Sequence, residues 1–492
     1  MRTLPSLITV ESPEHGRRAL RLTIVFHPDV MRIGQHSDLA EWSHTASRPR
    51  IDLKVGRSAP RFSDGEALAE PHVSREALRV RTQGDVLQLA VTGPAVKCRI
   101  GQHEVDEIRL TASDLRVGIP IRLGHGVVLY LREVEVAASR PELPSDYFPG
   151  CSPEADRVRL LMAAAAACEL PVLILGESGV GKELIASGIH ENSERRRSRM
   201  VSVNMSAISE SLAPAELFGT AKGAFTGALS REGYFQQAHG STLLLDEIGD
   251  TPTQIQVQLL RALQEREVQV VGGKTVPVDI RVIAATDGSV EAEAGFRNAL
   301  RQRLAGLTIN VPPLRERRED IGSQVLRMLE IAGAVEDLDT LAAQLQDNET
   351  AAWWARVFFD FLLGDWPGNS RELNNAVLAA LVFKDGHGQY QRDTAEKPTV
   401  NEVTDDELAQ AYEANGFEPT ATARALGLSR GTVYRRLRAH PDCRIASDVT
   451  MADLNAAIAA VGSRDSEALS RYLRVSEQGL LQKFPQLRRG TS

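Results

Sequence analysis

A chain of 492 residues, 42% hydrophobic and 25% charged, has the composition of an ordinary globular protein of about three domains, which excludes a disordered, fibrous or membrane-embedded chain. Its net charge of −8 excludes the whole molecule as an electrostatic sponge for nucleic acid, so any DNA contact must come from a local basic surface. The first residues, MRTLPSLITVESPEHGRR, lack the apolar core of a secretory signal, and the longest apolar run, Leu160 to Leu175, is broken by Glu169 and Pro171. The four cysteines form no CxxC pair and no His-linked metal spacing, so the expectation is a cytoplasmic protein with reduced thiols and no membrane partner.

Residues 1–136 alternate short β-rich runs (LRLTIVF, IDLKVG, ALRVRT, DVLQLAV, IPIRLG, GVVLYLREV) with turn residues, which predicts a β-sandwich. Gly56-Arg57 and Ser74-Arg75 supply guanidinium and hydroxyl, the chemistry a phosphate needs. With these pairs the segment resembles a forkhead-associated (FHA) domain. The resemblance implies that Arg57, Ser74 and Arg75 hold a phosphothreonine protein, a Ser/Thr kinase among the partners to consider. Ala77 stands where the second FHA motif has His, and the usual Asn-Gly has no counterpart near Thr92 and Gly93. Gly34-Gln35 offers a rival register for the first motif. A plain interaction or autoinhibitory sandwich is the alternative.

Clustered prolines (Pro141, Pro144, Pro149 and Pro153) mark residues 137–149 as a linker. From 150 to 383, helices alternate with continuous apolar strands such as PVLILG, STLLLDE and DIRVIAAT, the pattern of a parallel sheet covered on both faces. The strand Val172–Leu175 runs into Gly176, Glu177, Ser178, Gly179, Val180, Gly181, Lys182 and Glu183, a GxxxxGK loop followed by a helix. Glycines there let backbone N–H groups surround phosphate oxygens at a helix N-terminus, and Lys182 is expected to reach the β- and γ-phosphates of ATP. Glu183 stands where a Ser or Thr usually ligates Mg²⁺. In STLLLDEIGD, Asp246 is expected to hold that Mg²⁺ and Glu247 to orient and polarise the attacking water. The basic run Arg195–Arg199 reads as a solvated loop.

Between these motifs lies ELFGTAKGAFTGALSREG, with Phe225 and Thr226 between Gly223 and Gly227. A rigid turn needs no apolar ring facing water, whereas flanking glycines suit a loop with more than one backbone conformation. On GESGVGKE, ELFGTAKGAFTGA, STLLLDEIGD, QVQLLRALQEREVQVVGG, FRNALRQRL, VPPLRERRED and WPGNSRELNN, residues 150–383 resemble the AAA+ ATPase domain of bacterial enhancer-binding proteins, the activators of sigma-54 RNA polymerase. The resemblance implies an α/β P-loop ATPase with a helical lid. In it Gly223, Ala224, Phe225, Thr226, Gly227 and Ala228 meet sigma-54 at one stage of the ATP cycle.

It further implies that Asn204 senses the γ-phosphate through Glu247, that Arg371 reports nucleotide state to the lid, and that Arg297 and Arg303 serve the neighbouring subunit's ATP. The active form is then a homo-oligomeric ring, a hexamer. Six residues is about 600° along a helix, so those two arginines point some 120° apart and differ in role. Asp287 replaces the family's usual Asn; a carboxylate near phosphates is unfavourable unless it faces a cation, so hydrolysis is expected to be tuned or weakened.

Residues 384–404 are polar and turn-rich, a second linker, and the all-α segment 405–441 contains FEPTATARALGLSRGTVYRRLRAH. This resembles the Fis-type helix-turn-helix that ends many such activators. Residues 418–440 hold five arginines against one acid, a local basic patch for enhancer DNA. Ser429, Arg430, Thr432 and Tyr434 are expected near the start of the recognition helix, with Arg435, Arg436 and Arg438 on phosphates. The tail, 442–492, repeats the pattern at a shift of 46 to 47, Leu408 falling on Leu454 and Val433 on Leu480. Its second helix carries little positive charge, so packing or dimer support is favoured over DNA reading.

The whole reads as a multidomain sigma-54-dependent activator with a β-sandwich in front, an ATP-driven ring and enhancer-binding helices behind. A DNA-bound scaffold or repressor with weak ATPase, and an AAA+ remodeller of another partner, are the alternatives.

Overall fold

A computed structural model describes residues 17–43, 49–68, 70–71, 73–83, 86–92, 98–101, 103–104, 106–124, 126–136, 145–224, 229–287, 298–333, 338–384, 405–426, 433, 436–438, 440, 443–463, 465–484 and 487. The chain falls into two compact units, Met1–Tyr390 and Gln391–Ser492. Among the described residues no helix is long and apolar enough to cross a membrane.

The first unit opens with β1 (Arg17–Phe26), β2 (His36–Ser43), β3 (Asp52–Val55), β4 (Leu78–Gln83), β5 (Val86–Val91), β6 (Cys98–Ile100), β7 (His103–Glu104), β8 (Glu107–Leu110), a short helix α1 (Ala112–Val117), β9 (Ile119–Leu123) and β10 (Val127–Val136). They form two antiparallel sheets, ordered β2-β1-β10-β9-β6-β7 and β3-β4-β5-β8. Side chains alternate across a strand, and Leu22, Ile24, Leu78, Val80, Leu87, Leu89, Leu129 and Leu131 meet in one core between the sheets. This is the sandwich architecture expected of the front residues.

Strands β1 and β10 are buried on both faces. Their inward residues fill the sandwich, while Val25, Phe26, Val128 and Tyr130 belong to a different core. What covers that second face is the central part of the same unit.

The central part begins with α2 (Pro153–Ala166), capped by Ser152 with Pro153 in its first turn, the arrangement a helix N-terminus favours. There follow β11 (Val172–Leu175), α3 (Lys182–Glu191), β12 (Val201–Asn204), α4 (Ala213–Phe218), α5 (Tyr234–Gln237), β13 (Ser241–Asp246), α6 (Thr253–Glu265), β14 (Glu267–Gln269), β15 (Thr275–Pro277), β16 (Ile280–Thr286), α7 (Asn298–Leu304) and β17 (Leu307–Asn310). The five-stranded sheet runs β12-β13-β16-β11-β17, all parallel, and its apolar strands are covered on both faces. Four helices complete the unit: α8 (Ile321–Ile331), α9 (Leu338–Gln344), α10 (Asn348–Leu362) and α11 (Asn369–Lys384). These are the lid.

Lid and sandwich share one core. Trp354, Phe358, Phe361 and Trp366 pack with Val25, Phe26, Val128 and Tyr130, and the Phe26 and Phe358 rings lie 4.8 Å apart. A Cβ on Gly322 of α8 would come within 2.3 Å of the Val25 carbonyl oxygen, so only glycine permits this approach. Arg99 and Arg122 of the sandwich stand over the Phe359 ring at 5.3 and 5.7 Å. The expectation of a front domain set off by a linker omitted this shared core. Within the expected linker, Phe148 is buried and lies beneath the Arg317 guanidinium at 4.3 Å.

In the second unit, α12 (Asp405–Ala414) and α13 (Pro419–Ala425) are followed by α14 (Met451–Val461), α15 (Ser466–Leu473) and α16 (Glu477–Lys483). Leu408, Ala423, Val433 and Leu437 are buried in one cluster, and Leu454, Leu469, Leu480 and Phe484 in another. Leu408 and Leu454, Val433 and Leu480, and Leu437 and Phe484 are the pairs that the expected repeat sets in register. Gly416 and Gly462, also paired by it, both adopt left-handed backbone, at φ 65° and 67°.

Truncating a buried aromatic costs about 3–5 kcal/mol. Because three of the four tryptophans, Trp353, Trp354 and Trp366, sit in or beside lid helix α10, Phe26→Ala in the sandwich is expected to lower the urea midpoint read by lid tryptophan fluorescence. An unchanged midpoint would separate the two bodies.

Candidate nucleotide site and its exposed loop

Strand β11 delivers the glycine-rich loop to the carboxyl end of the sheet, between β16 and β17, and α3 starts at Lys182. Ligands of open parallel sheets bind at such strand ends. Gly179 and Gly181 take φ +80° and +104°, values that side-chain-bearing residues rarely adopt. Lys182 is 7% exposed; its Nζ donates to the Gly176 carbonyl at 2.8 Å and lies 3.7 Å from Glu247 Oε1. Glu183 is exposed and offers no hydroxyl.

Strand β13 places Asp246, 7% exposed, and Glu247 beside that lysine. Glu247 sits at φ 49°, a strained backbone setting for a residue that carries a side chain. Burial pushes its carboxyl above the ordinary glutamate range; Lys182 pulls it back, while Asp246, Asp287 and Asp250 push further. Asp287, at the end of β16, is thus electrostatically part of the site. Asn204 ends the neighbouring strand β12, and its amide donates to Asp246 at 3.4 Å, while its oxygen accepts from Ser206. The contact expected to run to Glu247 therefore runs to the adjacent acid.

The lid closes on the loop by backbone. A Cβ on Gly179 would lie 2.3 Å from the Gly368 carbonyl oxygen, and the Ser370 N–H donates to the Gly179 carbonyl at 3.1 Å. Arg371 donates to the Ser178 hydroxyl at 3.1 Å, and Glu372 accepts from the Gly368 N–H at 2.8 Å. Asn369, fully buried at φ 51°, donates to Glu177 and to the Ser178 carbonyl and accepts from the Leu314 N–H.

Sequence reasoning passed over Asn369, and also Arg315, whose guanidinium grips Glu177 with two bonds of 2.6 and 2.8 Å. That grip holds the Glu177 carboxyl below the usual range. Both residues stood inside quoted motifs, but their partners lie far off in sequence.

Next to Arg315, the Leu314–Asp320 turn carries buried charge. Asp320 accepts from the Cys151 and Ser152 N–H groups and from the Ser152 hydroxyl, each at 2.7 Å. Arg132 of β10 reaches this turn from the sandwich. It donates to the Glu316 carbonyl at 2.9 Å, to Glu154 of α2, and places Nε 2.7 Å from Glu319 Oε1. The last contact is misaligned for a hydrogen bond and acts as an ion pair. Burial pushes the Glu319 carboxyl up, and Arg132 pulls it back. Removing one partner of such a buried pair costs about 3–5 kcal/mol.

The glycine-flanked loop springs from a fixed base. Thr220 exchanges backbone bonds with Arg231 at 2.9 and 3.0 Å, and its hydroxyl donates to the Leu229 carbonyl at 3.0 Å. Ala221 and Gly219 bond to Val271, between β14 and β15. Gly223 takes φ +83°, Ala224 is half-buried, and Leu229 is 77% exposed. Phe225, Thr226, Gly227 and Ala228 lie outside the described residues, as does Arg297. Arg303, exposed on α7, donates to the Leu263 carbonyl at 2.9 Å. In the basic run, Arg195 is a structural residue bound to Glu169, Asp279 and the Ser241 carbonyl.

Two further expected sites are partly described. In the sandwich, the Arg57 N–H donates to the Ser74 carbonyl at 3.0 Å, and a Cβ on Gly56 would lie 2.4 Å from the Arg75 carbonyl oxygen. Gly34 faces Ser323 of the lid, so Gly56-Arg57 is the pair brought to Ser74 and Arg75. In the second unit Arg436 and Arg438 are described; Ser429, Arg430, Thr432, Tyr434 and Arg435 are not.

The family described as the Sigma-54 interaction domain matches residues 149–310. The transcriptional regulatory protein ZraR of Escherichia coli (strain K12) is 40% identical over 328 residues, 61% of this chain and 71% of that protein. The Nif-specific regulatory protein of Azotobacter vinelandii is 33% identical over 482 residues, 88% of this chain and 87% of that protein. Among solved structures, NtrX from Brucella abortus in complex with ATP is 27% identical with a TM-score of 0.41, covering 62% of this chain and 69% of that one. With a P-loop, paired acids and lid on one parallel sheet, and relatives matched over most of their length, the chain belongs to the sigma-54-dependent transcriptional regulators.

Proposed function

We propose that this chain is an enhancer-bound activator that hydrolyses ATP in a homo-oligomeric ring, a hexamer, and uses the cycle to remodel the closed complex of sigma-54 RNA polymerase. One observation carries it: Lys182, Asp246, Glu247 and Arg371 converge where β11 and β13 end, with the lid backbone seated on the P-loop. The oxygen donors suit a hard cation, since Mg²⁺ is ordinarily held by one or two carboxylates together with substrate phosphates. Asp246 would hold it, and bound Mg²⁺ would supply positive charge to the phosphates. Lys182 leaves the Gly176 carbonyl for the β- and γ-phosphates, and Glu247, once unprotonated, orients the attacking water. Arg297 and Arg303 meet the ATP of the adjacent subunit, and Asn204 links Asp246 to the state of the site.

The pinned base from Thr220 to Arg231 supports a loop that transmits force: a hinge fixed at its root can present Phe225 and Thr226 to sigma-54 without losing register. In the second unit, Arg436 and Arg438 join Arg435 on DNA phosphates, with Ser429, Arg430, Thr432 and Tyr434 reading bases. At the front, the closeness of Gly56-Arg57 to Ser74 and Arg75 supports a phosphothreonine cradle. The Thr92 hydroxyl donates to the Glu76 carbonyl at 3.1 Å. A scaffold or repressor with weak ATPase is the second reading, favoured by Asp287 beside Glu247.

Phe225→Ala is expected to leave ATP turnover intact and abolish promoter opening by sigma-54 polymerase; opening at the wild-type rate would overturn the loop's role. For Asp287→Asn the sign follows from charge. Asp287 raises the Glu247 carboxyl, and Glu247 works unprotonated, so the acid limb of the ATPase pH profile should move to lower pH. An unmoved limb counts against Glu247 as the titrating group. A phosphothreonine peptide should bind the wild type and fail with Arg57→Ala, measured by fluorescence anisotropy; equal binding of the unphosphorylated peptide contradicts the cradle.

A further inference from the structure

We propose that the front sandwich is a working wall of the nucleotide site: Arg132, on its last strand, is a positioning residue that fixes how the P-loop and lid meet, through the Leu314–Asp320 turn. This rests on the reading that nucleotide binds the P-loop.

The turn is bonded to four bodies at once. Toward the P-loop, Arg315 grips Glu177, and Arg317 reaches the Val180 carbonyl at 3.5 Å. Toward the lid, the Leu314 N–H donates to Asn369 at 2.8 Å, and Arg318 binds the Leu362 carbonyl and Asp365 at 2.9 and 2.8 Å. Toward α2, Asp320 holds the Cys151 and Ser152 N–H groups. Toward the sandwich, Arg132 meets the turn at the Glu316 carbonyl and the Glu319 carboxylate.

Geometry makes Arg132 more than a structural pin. Arg132 is 7% exposed, and Glu319 and Asp320 are 1% and 0% exposed, so water cannot replace it cheaply. Without it the buried Glu319 carboxyl loses the ion pair that offsets its burial, and the Glu316 carbonyl loses its donor. The turn relieves that cost by shifting, and Arg315 and Leu314 shift with it. Those two hold Glu177 and Asn369, the groups that lock the P-loop to the lid. A sub-ångström displacement of such a lock is felt first as nucleotide affinity, because the lid encloses bound nucleotide before chemistry begins. A lysine restores the charge but not the three-way fork, since Arg presents several donors in fixed planar geometry and Lys one point charge.

The test uses the full-length chain with Arg132→Met, Arg132→Lys and Glu319→Gln, a fluorescent ATP analogue for affinity, and steady-state ATPase. Arg132→Met is expected to raise both the analogue Kd and the KM for ATP about tenfold, with kcat changed far less. Arg132→Lys should recover part of that loss, and Glu319→Gln, which removes the charge needing compensation, should bind more tightly than Arg132→Met. If Arg132→Met does not fold, Arg132→Lys decides: wild-type Kd and KM overturn the inference, and a raised Kd and KM at unchanged melting temperature sustain it. A lowered melting temperature with unchanged nucleotide affinity makes the cluster merely structural and also overturns it. Failure of the wild type to bind the analogue overturns the nucleotide reading itself, whereas equal binding by wild type and both Arg132 variants overturns this inference alone.

Discussion

The site depends on a contact between two backbones that leaves no room for a side chain. Where the Gly179 loop meets the Gly368 carbonyl, the P-loop and lid touch at a separation only glycine allows, and Asn369 fills the space beneath with hydrogen bonds to both bodies. Buried polar groups must be paired or they cost stability. Asn369 therefore has one seat that satisfies it, and that seat fixes the lid at the glycine-rich loop. Around it lie three ion pairs: Arg315 with Glu177, half-exposed, and the buried pairs Arg317 with Asp320, within one turn, and Arg132 with Glu319, between sandwich and turn.

That arrangement ties three levels together. Strands β11 and β13, with β16 between them, end at one edge of the sheet with their chemistry exposed there, because fully apolar parallel strands must be covered on both faces and can present polar groups only at their ends. The lid lies over that edge, and its aromatic core continues into the outer face of the sandwich. P-loop, lid and sandwich are thus packed into one body. The loop rooted at Thr220 and Arg231 is tied to Val271, in the hairpin of β14 and β15.

Much of this was legible from the residues. GxxxxGK after an apolar strand, acids ending a second one and alternating patterns in front each depend on neighbours within a few residues, where spacing alone defines geometry. In the second unit the spacing picked out Leu408 and Leu454, and both are buried on their helices. What stayed hidden was pairing over long separations. Nothing in VVLYLREVEV reveals that Val128, Tyr130 and Arg132 face a lid; the doubly buried strand showed only as an unbroken apolar run ending in a charge. Asn204 illustrates the finer limit, because strand order put it beside β13 while one residue of register decided between Asp246 and Glu247.

The central claim is that nucleotide consumed beneath the lid drives the loop against its target. The most direct measurement is the appearance of single-stranded promoter DNA in a purified sigma-54 polymerase complex, with ATP and with a non-hydrolysable analogue. The account requires opening with ATP and none with the analogue. Turnover of ATP by the purified chain while the promoter stays double-stranded would contradict it.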